Sequence, residues 1–528
     1  MTPFSRAASA LVFTILCAAT LAGGQGAGFY DVRSFGASGD GKTLDTAAIN
    51  RAIDAAAAGG GGTVAFPAGV YLSASIHLQS NITLFLEPGS VIEAARPDVA
   101  AFDDPESNPV AEKFQYQDFG HSHWKNSLIW GIGLENVAIV GPGVIRGTGL
   151  DNGFDRFSGD SNGANRYRDN PPHSGNKAIA LCRCRNVVIR DVAILHGGWF
   201  AILATGVSNL TIDHVLLDTN RDGMDIDACR NVRVTRCSVN SPWDDGICLK
   251  ASYALGEVRA CEDVVISDCF LSGSFDEGTL WDGTYKWSDA AYRSSHMGRI
   301  KLGTESNGDF KNIAVTNCVF DGSRGFAIES VDGSHIEDIA ISNITMRHVY
   351  TAPIFIRLGS RLRGPEGTVT GTIRRITISN VVASDSDWSL GNVVSGVPGH
   401  NIEDISISNV RIQFQGRGTP ELGLRVPPEE ERSYPDPDMF GPMPSYGFFF
   451  RHVAGLNLHD VKIDTAKGDA RPAFVLADVR DARFRALDVQ RGLGNAPLFD
   501  LRGVSGFSSD DVRGLDPQRL PDTVNTKF

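Results

Sequence analysis

Apolar and polar positions alternate along most of the chain in short bursts, and the bursts share one phrase. A polar residue opens each, alternating β-branched or aliphatic residues follow, and Asn, Asp or Cys comes soon after. The phrase reads Asn186-Val-Val-Ile, Asn209-Leu-Thr-Ile and Asn231-Val-Arg-Val. It returns as Asp263-Val-Val-Ile, Asn312-Ile-Ala-Val and Asp338-Ile-Ala-Ile, with weaker copies from Arg375, Asp404 and Leu456 and earlier ones from Asn81 and Asn136. Period-two alternation predicts a strand in each copy. The first onsets lie 23 and 22 residues apart, too close for a strand–helix–strand unit of roughly 30 residues, and no helical pattern intervenes. A solenoid remains, in which each repeat is one coil and successive coils pair in parallel about 4.8 Å apart. The expected fold is therefore all-β, a single-stranded right-handed parallel β-helix. Ladders of like residues should run along it, Asn231-Val232 over Asn209-Leu210. Asn343, Asn380 and Asn409, with Cys237, Cys269 and Cys318, should form a turn ladder inside the coils.

Three segments break the repeat. The run from Asp45 to Ala58 has helical periodicity, with Asp45 as N-cap and Gly59–Gly62 as its stop; it should cap the open edge of the first coil. Residues 416–446 hold seven of the 24 prolines and predict a long loop packed on the scaffold, since strand phrases resume at Phe448. At the N-terminus, Arg6, the apolar stretch Ala7–Leu21 and the small residues Ala22-Gly-Gly24 have the form of a secretory signal peptide over 1–24. That leaves 25–528 as one β-helix domain in a secreted or periplasmic protein. No other apolar run reaches the roughly 18–20 residues that span a bilayer, so no membrane insertion is expected.

Composition narrows the partners. The 528 residues are 42% hydrophobic, which excludes disorder. A net charge of −13, one unit more negative without Arg6, makes a poor general binder of nucleic acid or anionic lipid. A polyanionic substrate would need a local basic cluster. Eight cysteines follow the leader: Cys182, Cys184, Cys229, Cys237, Cys248, Cys261, Cys269 and Cys318. An even number in an exported chain suggests one or two disulfides; stacked small side chains at repeat positions are the other reading, and zinc-ligand spacing is lacking. Asn81-Ile-Thr, Asn209-Leu-Thr and Asn343-Ile-Thr match the N-glycosylation pattern but fall on ladder and strand positions.

Stacking makes distant acids neighbours. Asp222 and Asp244 each fall 13 residues after their strand onsets at Asn209 and Asn231. Counted from the next inward residues, Met224 and Ile247, Asp222 pairs with Asp245 instead. Either register places Asp222, Asp244 and Asp245 on one outer edge of adjacent coils. Three crowded carboxylates repel, which raises at least one pKa, so one can stay protonated while the others stay ionised. Glycosidic cleavage needs that division: one carboxyl protonates the leaving oxygen and another activates water, with roughly 6.5–9.5 Å between them for inversion. Asp-Gly pairs are also ordinary turn formers, and calcium is the other use of clustered acids.

The segment Asn220-Arg-Asp-Gly-Met-Asp-Ile-Asp227, followed by Trp243-Asp-Asp-Gly-Ile-Cys-Leu-Lys250, resembles the Asn-x-Asp and Asp-Asp motifs of polygalacturonase-type glycoside hydrolases, family 28. Phe29-Tyr-Asp-Val-Arg-Ser-Phe-Gly-Ala-Ser-Gly-Asp-Gly41 and Gly69-Val-Tyr-Leu72 also look like bacterial members, and the resemblance runs from about Phe29 to Asn409. It implies a pectin-degrading hydrolase that inverts configuration and uses no metal or other cofactor. By resemblance Asp244 is the general acid, Asp222 and Asp245 hold the attacking water, and Asn220 belongs to the substrate-binding set.

Two motifs are displaced. The histidine of the family's Gly-His-Gly motif falls on Gly298, with His296 two residues early. The Arg-Ile-Lys motif maps to Gly325–Ser330, where Ala327 and Glu329 replace the basic pair that binds the sugar carboxylate in pectin enzymes. A literal Arg299-Ile300-Lys301 stands one coil earlier. With Ile300 and Leu302 inward, Arg299 and Lys301 point outward near the acids, there either to receive a substrate anion or to pair with Asp225, Asp227 or Glu329.

Trp199, Trp243, Trp281, Tyr285 and Trp287 offer flat faces for sugars, several of them in the insertion 275–296; His196 and Lys250 are cleft candidates by position. Insertions here and at 416–446 would wall off one end of the groove and favour removal of terminal sugars. The expected partner is a polysaccharide, bound by a monomer. Two other readings fit the scaffold: a calcium-dependent polysaccharide lyase with a basic Arg or Lys, and a non-catalytic carbohydrate-binding solenoid, against which the crowding of like charges argues.

Overall fold

The computed structural model describes residues 28–114, 119–151, 172–287 and 296–528; the signal peptide predicted over 1–24 lies outside the described residues. The chain winds as a right-handed parallel β-helix. Three ladders of parallel strands run its length. One stacks Lys177–Cys182, Phe200–Thr205, Asp222–Asp227, Ile247–Ala251, Ile300–Ser306, Phe326–Ser330 and Ile354–Leu358. The second stacks Arg185–Arg190, Ser208–Asp213, Arg230–Thr235, Cys261–Ser267 and Phe310–Ser323; these are the repeated phrases. The third is built from three-residue strands, Ala193–Leu195, Leu216–Asp218, Ser238–Asn240 and Phe270–Ser272.

Alternation sets the register. In the first ladder Ile202, Met224, Ile247, Ile300, Phe326 and Ile354 lie in register and face the core. Beside them runs a second buried column, Ala204, Ile226, Leu249, Leu302, Ile328 and Ile356. A one-residue slip would turn Asp225, Lys301 and their neighbours into this core, so no slip is tolerated.

The residue that opens each phrase has a physical reason to be Asn or Asp. Asn81, Asn136, Asn186, Asn209, Asn231, Asp263, Asn312 and Asp338 all have φ between 54° and 64°, a left-handed turn that these side chains tolerate best after Gly. Their amides form an exposed ladder, each Nδ2 donating to the Oδ1 of the coil before at 2.8–2.9 Å from Asn81 through Asn231. The glycosylation-like asparagines Asn81 and Asn209 belong to it. A second exposed ladder links Asn317, Asn343, Asn380 and Asn409. It lies outside the coil, not inside as expected; the cysteines one position later, Cys237, Cys269 and Cys318, are the residues that turn inward. All eight cysteines are buried free thiols, so the expected disulfides are not formed.

Helix Thr46–Ala58 covers the first coil with Ile49, Ala52, Ile53 and Ala56. Asp45 precedes it without capping it: its carboxylate accepts from the Ser38 and Gly39 N–H groups at 2.6 and 3.0 Å, fastening the loop before the helix. At the far end Gln518–Leu520 and Val524–Lys527 return antiparallel on the last coils, a strand cap the repeat did not announce. Residues 416–446 pack on the outer face of the first ladder. Phe440 and Met443 join outward-facing Phe355, Val393, Phe449 and Val475 in a second apolar cluster. Arg357 donates to the Glu429 and Glu430 carbonyls at 2.7 and 3.0 Å, and Arg451 to those of Pro427 and Pro428 at 2.8 and 2.9 Å.

Candidate active site

The acids meet because Met224 and Ile247 are register partners. The Gly223 N–H donates to the Asp245 carbonyl at 2.9 Å, so Asp222 stands over Asp245, the second of the two registers. Close approach here requires glycine: a Cβ at Gly223 would stand 2.3 Å from the Gly246 oxygen. One carboxylate oxygen from each of Asp222, Asp244 and Asp245 lies within 4.8 Å of the others. That is shorter than the spacing of roughly 6.5–9.5 Å usual for inversion.

The three carboxyls have different surroundings. Asp245 is fully buried between Arg299, whose Nε donates to it at 2.6 Å, and the Lys301 ammonium. Burial opposes its ionisation, but Arg299 and Lys301 outweigh burial and hold the carboxyl well below the usual range. Asp222 is pushed the other way, first by burial, then by the charges of Asp225 and Asp244. Asp244 is the member that reaches solvent, at 22% exposure, and takes an ion pair from Arg221 at 2.9 Å. The spacing of the three would suit a divalent cation, but Arg221, Arg299 and Lys301 already bring three positive charges to three carboxylates.

The other sequence-predicted residues fall around this core in distinct ways. Trp199 is buried beneath the Arg221 guanidinium, 5.1 Å from ring centre to carbon. The Asn220 carbonyl accepts from the Trp243 N–H at 2.9 Å, and the Trp243 ring meets buried His296 edge-on at 4.8 Å. Lys250 points into a buried network with Glu305 at 3.0 Å and Asp225 at 3.5 Å rather than into the groove. His196 occupies a left-handed turn with φ 56°, its N–H on the Asp218 carbonyl. Trp281, Tyr285 and Trp287 are exposed, on a hairpin tied to the coil of Asp222 by the Leu280 N–H on Asp218.

Several groups were not singled out from the sequence. His121 is one: its Nε2 meets Asp225, itself a pairing candidate from the sequence, at 2.6 Å; the histidine arrives from the insertion before Ile129, a docking that no local pattern announces. Arg221 was in plain view between Asn220 and Asp222 but carries no signal of its own. From the proline-rich loop, Tyr434 Oη meets Thr304 and Lys301 at 3.0 and 3.5 Å, and Asp436 takes both carboxylate oxygens to Arg324 at 3.0 Å. Asp436 also stands 3.6 Å from Arg299, and Glu329 stands 4.0 Å from it. Burial lifts the Glu329 carboxyl to about 7, with Lys301 and Arg299 pulling the other way.

Comparison with known proteins bears on this arrangement. Residues 110–270 match the model of glycosyl hydrolases family 28, and residues 29–129 that of rhamnogalacturonase A/epimerase, pectate lyase-like. A probable polygalacturonase of Vitis vinifera is 24% identical over 399 residues, 72% of this chain and 74% of its own. An exo-poly-α-D-galacturonosidase of Dickeya chrysanthemi is 28% identical over 252 residues, 41% of this chain and 40% of its own. A hyperthermoactive exopolygalacturonase from Thermotoga maritima superposes with a TM-score of 0.58 at 21% identity, over 73% of this chain and 87% of its own, a likeness of fold. A parallel β-helix with an acid-lined outer edge, and relatives of this kind, define a glycoside hydrolase. Residues 110–270, less than half of the chain, carry the match to family 28, and the polygalacturonase relatives support a polygalacturonase-like reading.

Proposed function

We propose that the protein is a secreted hydrolase of pectin-type polysaccharide, acting on glycosidic bonds laid across Asp222, Asp244 and Asp245. The observation that supports this most is the opposite electrostatic fate of adjacent carboxyls: Asp245 held ionised by two cations, Asp222 driven toward its neutral form. As neighbouring anions Asp222 and Asp244 repel, which favours a proton on one of the pair. Asp244, the member open to solvent, delivers it to the leaving oxygen. Asp245, with Asp222 once that has lost its proton, orients and deprotonates the attacking water. Arg299 and Lys301 keep Asp245 charged, and Arg221 steadies Asp244. No cofactor takes part. The loop 416–446 closes one end of the groove, so terminal sugars are released, and the enzyme works as a monomer. No helix among the described residues is long and apolar enough to cross a membrane, which is compatible with export by the 1–24 leader.

A polysaccharide panel with product analysis tests this reading. New reducing ends that survive a chelator, with no ultraviolet-absorbing unsaturated uronide, support it. Unsaturated product lost on chelation would identify a lyase instead. Because the carboxyl spacing is short, the anomer first released should be read by NMR: an inverted anomer supports the water-activating roles, and a retained one makes one aspartate a nucleophile.

A further inference from the structure

Among the described residues, the end of the site beyond Asp245 is rich in basic side chains, yet Arg299, Lys301 and Arg324 are each paired with carboxylates of the chain. Arg299 is 1% exposed and Lys301 2%. Both bind Asp245, and Arg299 also faces Asp436 at 3.6 Å and Glu329 at 4.0 Å. Arg324 holds Asp436 at 3.0 Å and Asp438 at 3.3 Å. Three positive charges thus meet at least as many carboxylates, all supplied by the chain itself. Both oxygens of buried Glu329 and Nη2 of Arg299 lack a hydrogen-bond partner, and Nη2 stands 4.0 Å from Glu329 Oε1, so the Arg299 donor left without a hydrogen bond already faces a carboxyl of the chain.

We infer that the sugar bound on the Arg299–Arg324 side of the scissile bond is uncharged, because Asp436 already occupies the cations that would receive a uronate carboxylate. The inference rests on the hydrolase reading and narrows it: the substrate is a glycan with a neutral residue at that subsite, not a uniform polyuronide. A uronate there would have to displace Asp436 and would leave a second carboxylate near Glu329 without a counter-charge, a costly arrangement in a buried site.

The test compares an α-linked oligogalacturonide with the same oligomer after chemical reduction of its carboxyls to primary alcohols. Wild-type enzyme should show kcat/KM at least about tenfold higher for the reduced oligomer. Asp436→Asn, which frees Arg324 and part of Arg299, should move that ratio several-fold toward the acidic oligomer. Equal turnover, a preference for the acidic oligomer, or an unmoved ratio in a folded Asp436→Asn variant overturns the inference. If that variant does not fold, the wild-type ratio decides. If wild type cleaves neither oligomer, the hydrolase reading fails on its own, and calorimetric binding of the two oligomers decides: tighter binding of the reduced one supports the inference, and any other result overturns it.

Discussion

One outward column of the first ladder runs through two kinds of environment. Through the middle coils it reads Leu203, Asp225, Cys248 and Lys301; farther along it reads Ala327, Phe355, Val393, Phe449 and Val475. The backbone is the same, as is the inward packing of Met224, Ile247, Ile300 and Ile354. Only the outward chemistry changes, from paired charges to an apolar patch that Phe440 and Met443 cover. A coil whose core side alone secures the winding can therefore carry any outward residue whose needs something else meets: cations for Asp245, the proline-rich loop for Phe355. That loop serves both regions, since it seals the apolar one and sends Tyr434 and Asp436 into the charged one.

The sharpest way to break this contrast is Asp244→Asn. It should lower kcat by about 10²–10⁴-fold on the cleaved polysaccharide with an unchanged circular dichroism spectrum; retained turnover would leave the charged coils with no more chemistry than the apolar ones. Next comes a pair of truncations. Arg299→Ala strands a buried carboxylate, and Phe355→Ala opens a cavity, so each should cost about 3–5 kcal/mol in denaturant unfolding. Only Arg299→Ala should also lower kcat; an equal loss of activity in both would mean that the two regions do not differ in role.

A pH series separates them further. The Glu329 carboxyl is raised in the folded protein to about 7, so its contribution to stability is complete below the unfolded value of about 4.3 and is lost as pH rises through about 7. Wild-type Tm should thus fall more between those limits than the Tm of Glu329→Gln, by on the order of 2 °C, as read by calorimetry. Parallel curves would mean that Glu329 titrates normally. The smallest effect is expected far from either region: Asn209→Ala removes two links of the exposed amide ladder, to Asn186 and from Asn231, and should cost about 1–2 kcal/mol with kcat unchanged, measured by urea unfolding alongside a rate assay.

The alternation of apolar residues and the recurrence of Asn or Asp at left-handed turns are local properties, and they were enough to specify a wound sheet, its repeat and the inward columns. They also placed Asp222 beside Asp244 and Asp245, because register along a solenoid can be counted. What each acid would feel could not be counted. Lys250 looked like a cleft residue but turns to Glu305 and Asp225. Arg299 and Lys301 could have met a substrate anion or an acid of a flanking coil; the fold engages both with Asp245 and sets Arg299 near Glu329, and Asp436 reaches Arg299 from 137 residues farther along the chain. Burial and counter-charge are set by whatever insertion folds back over a coil, and the docking of His121 or of residues 416–446 has no period to read. The sequence alone decided where the backbone goes; only the folded molecule decided which charges meet, because electrostatic interactions depend on distance in space and on the exclusion of water.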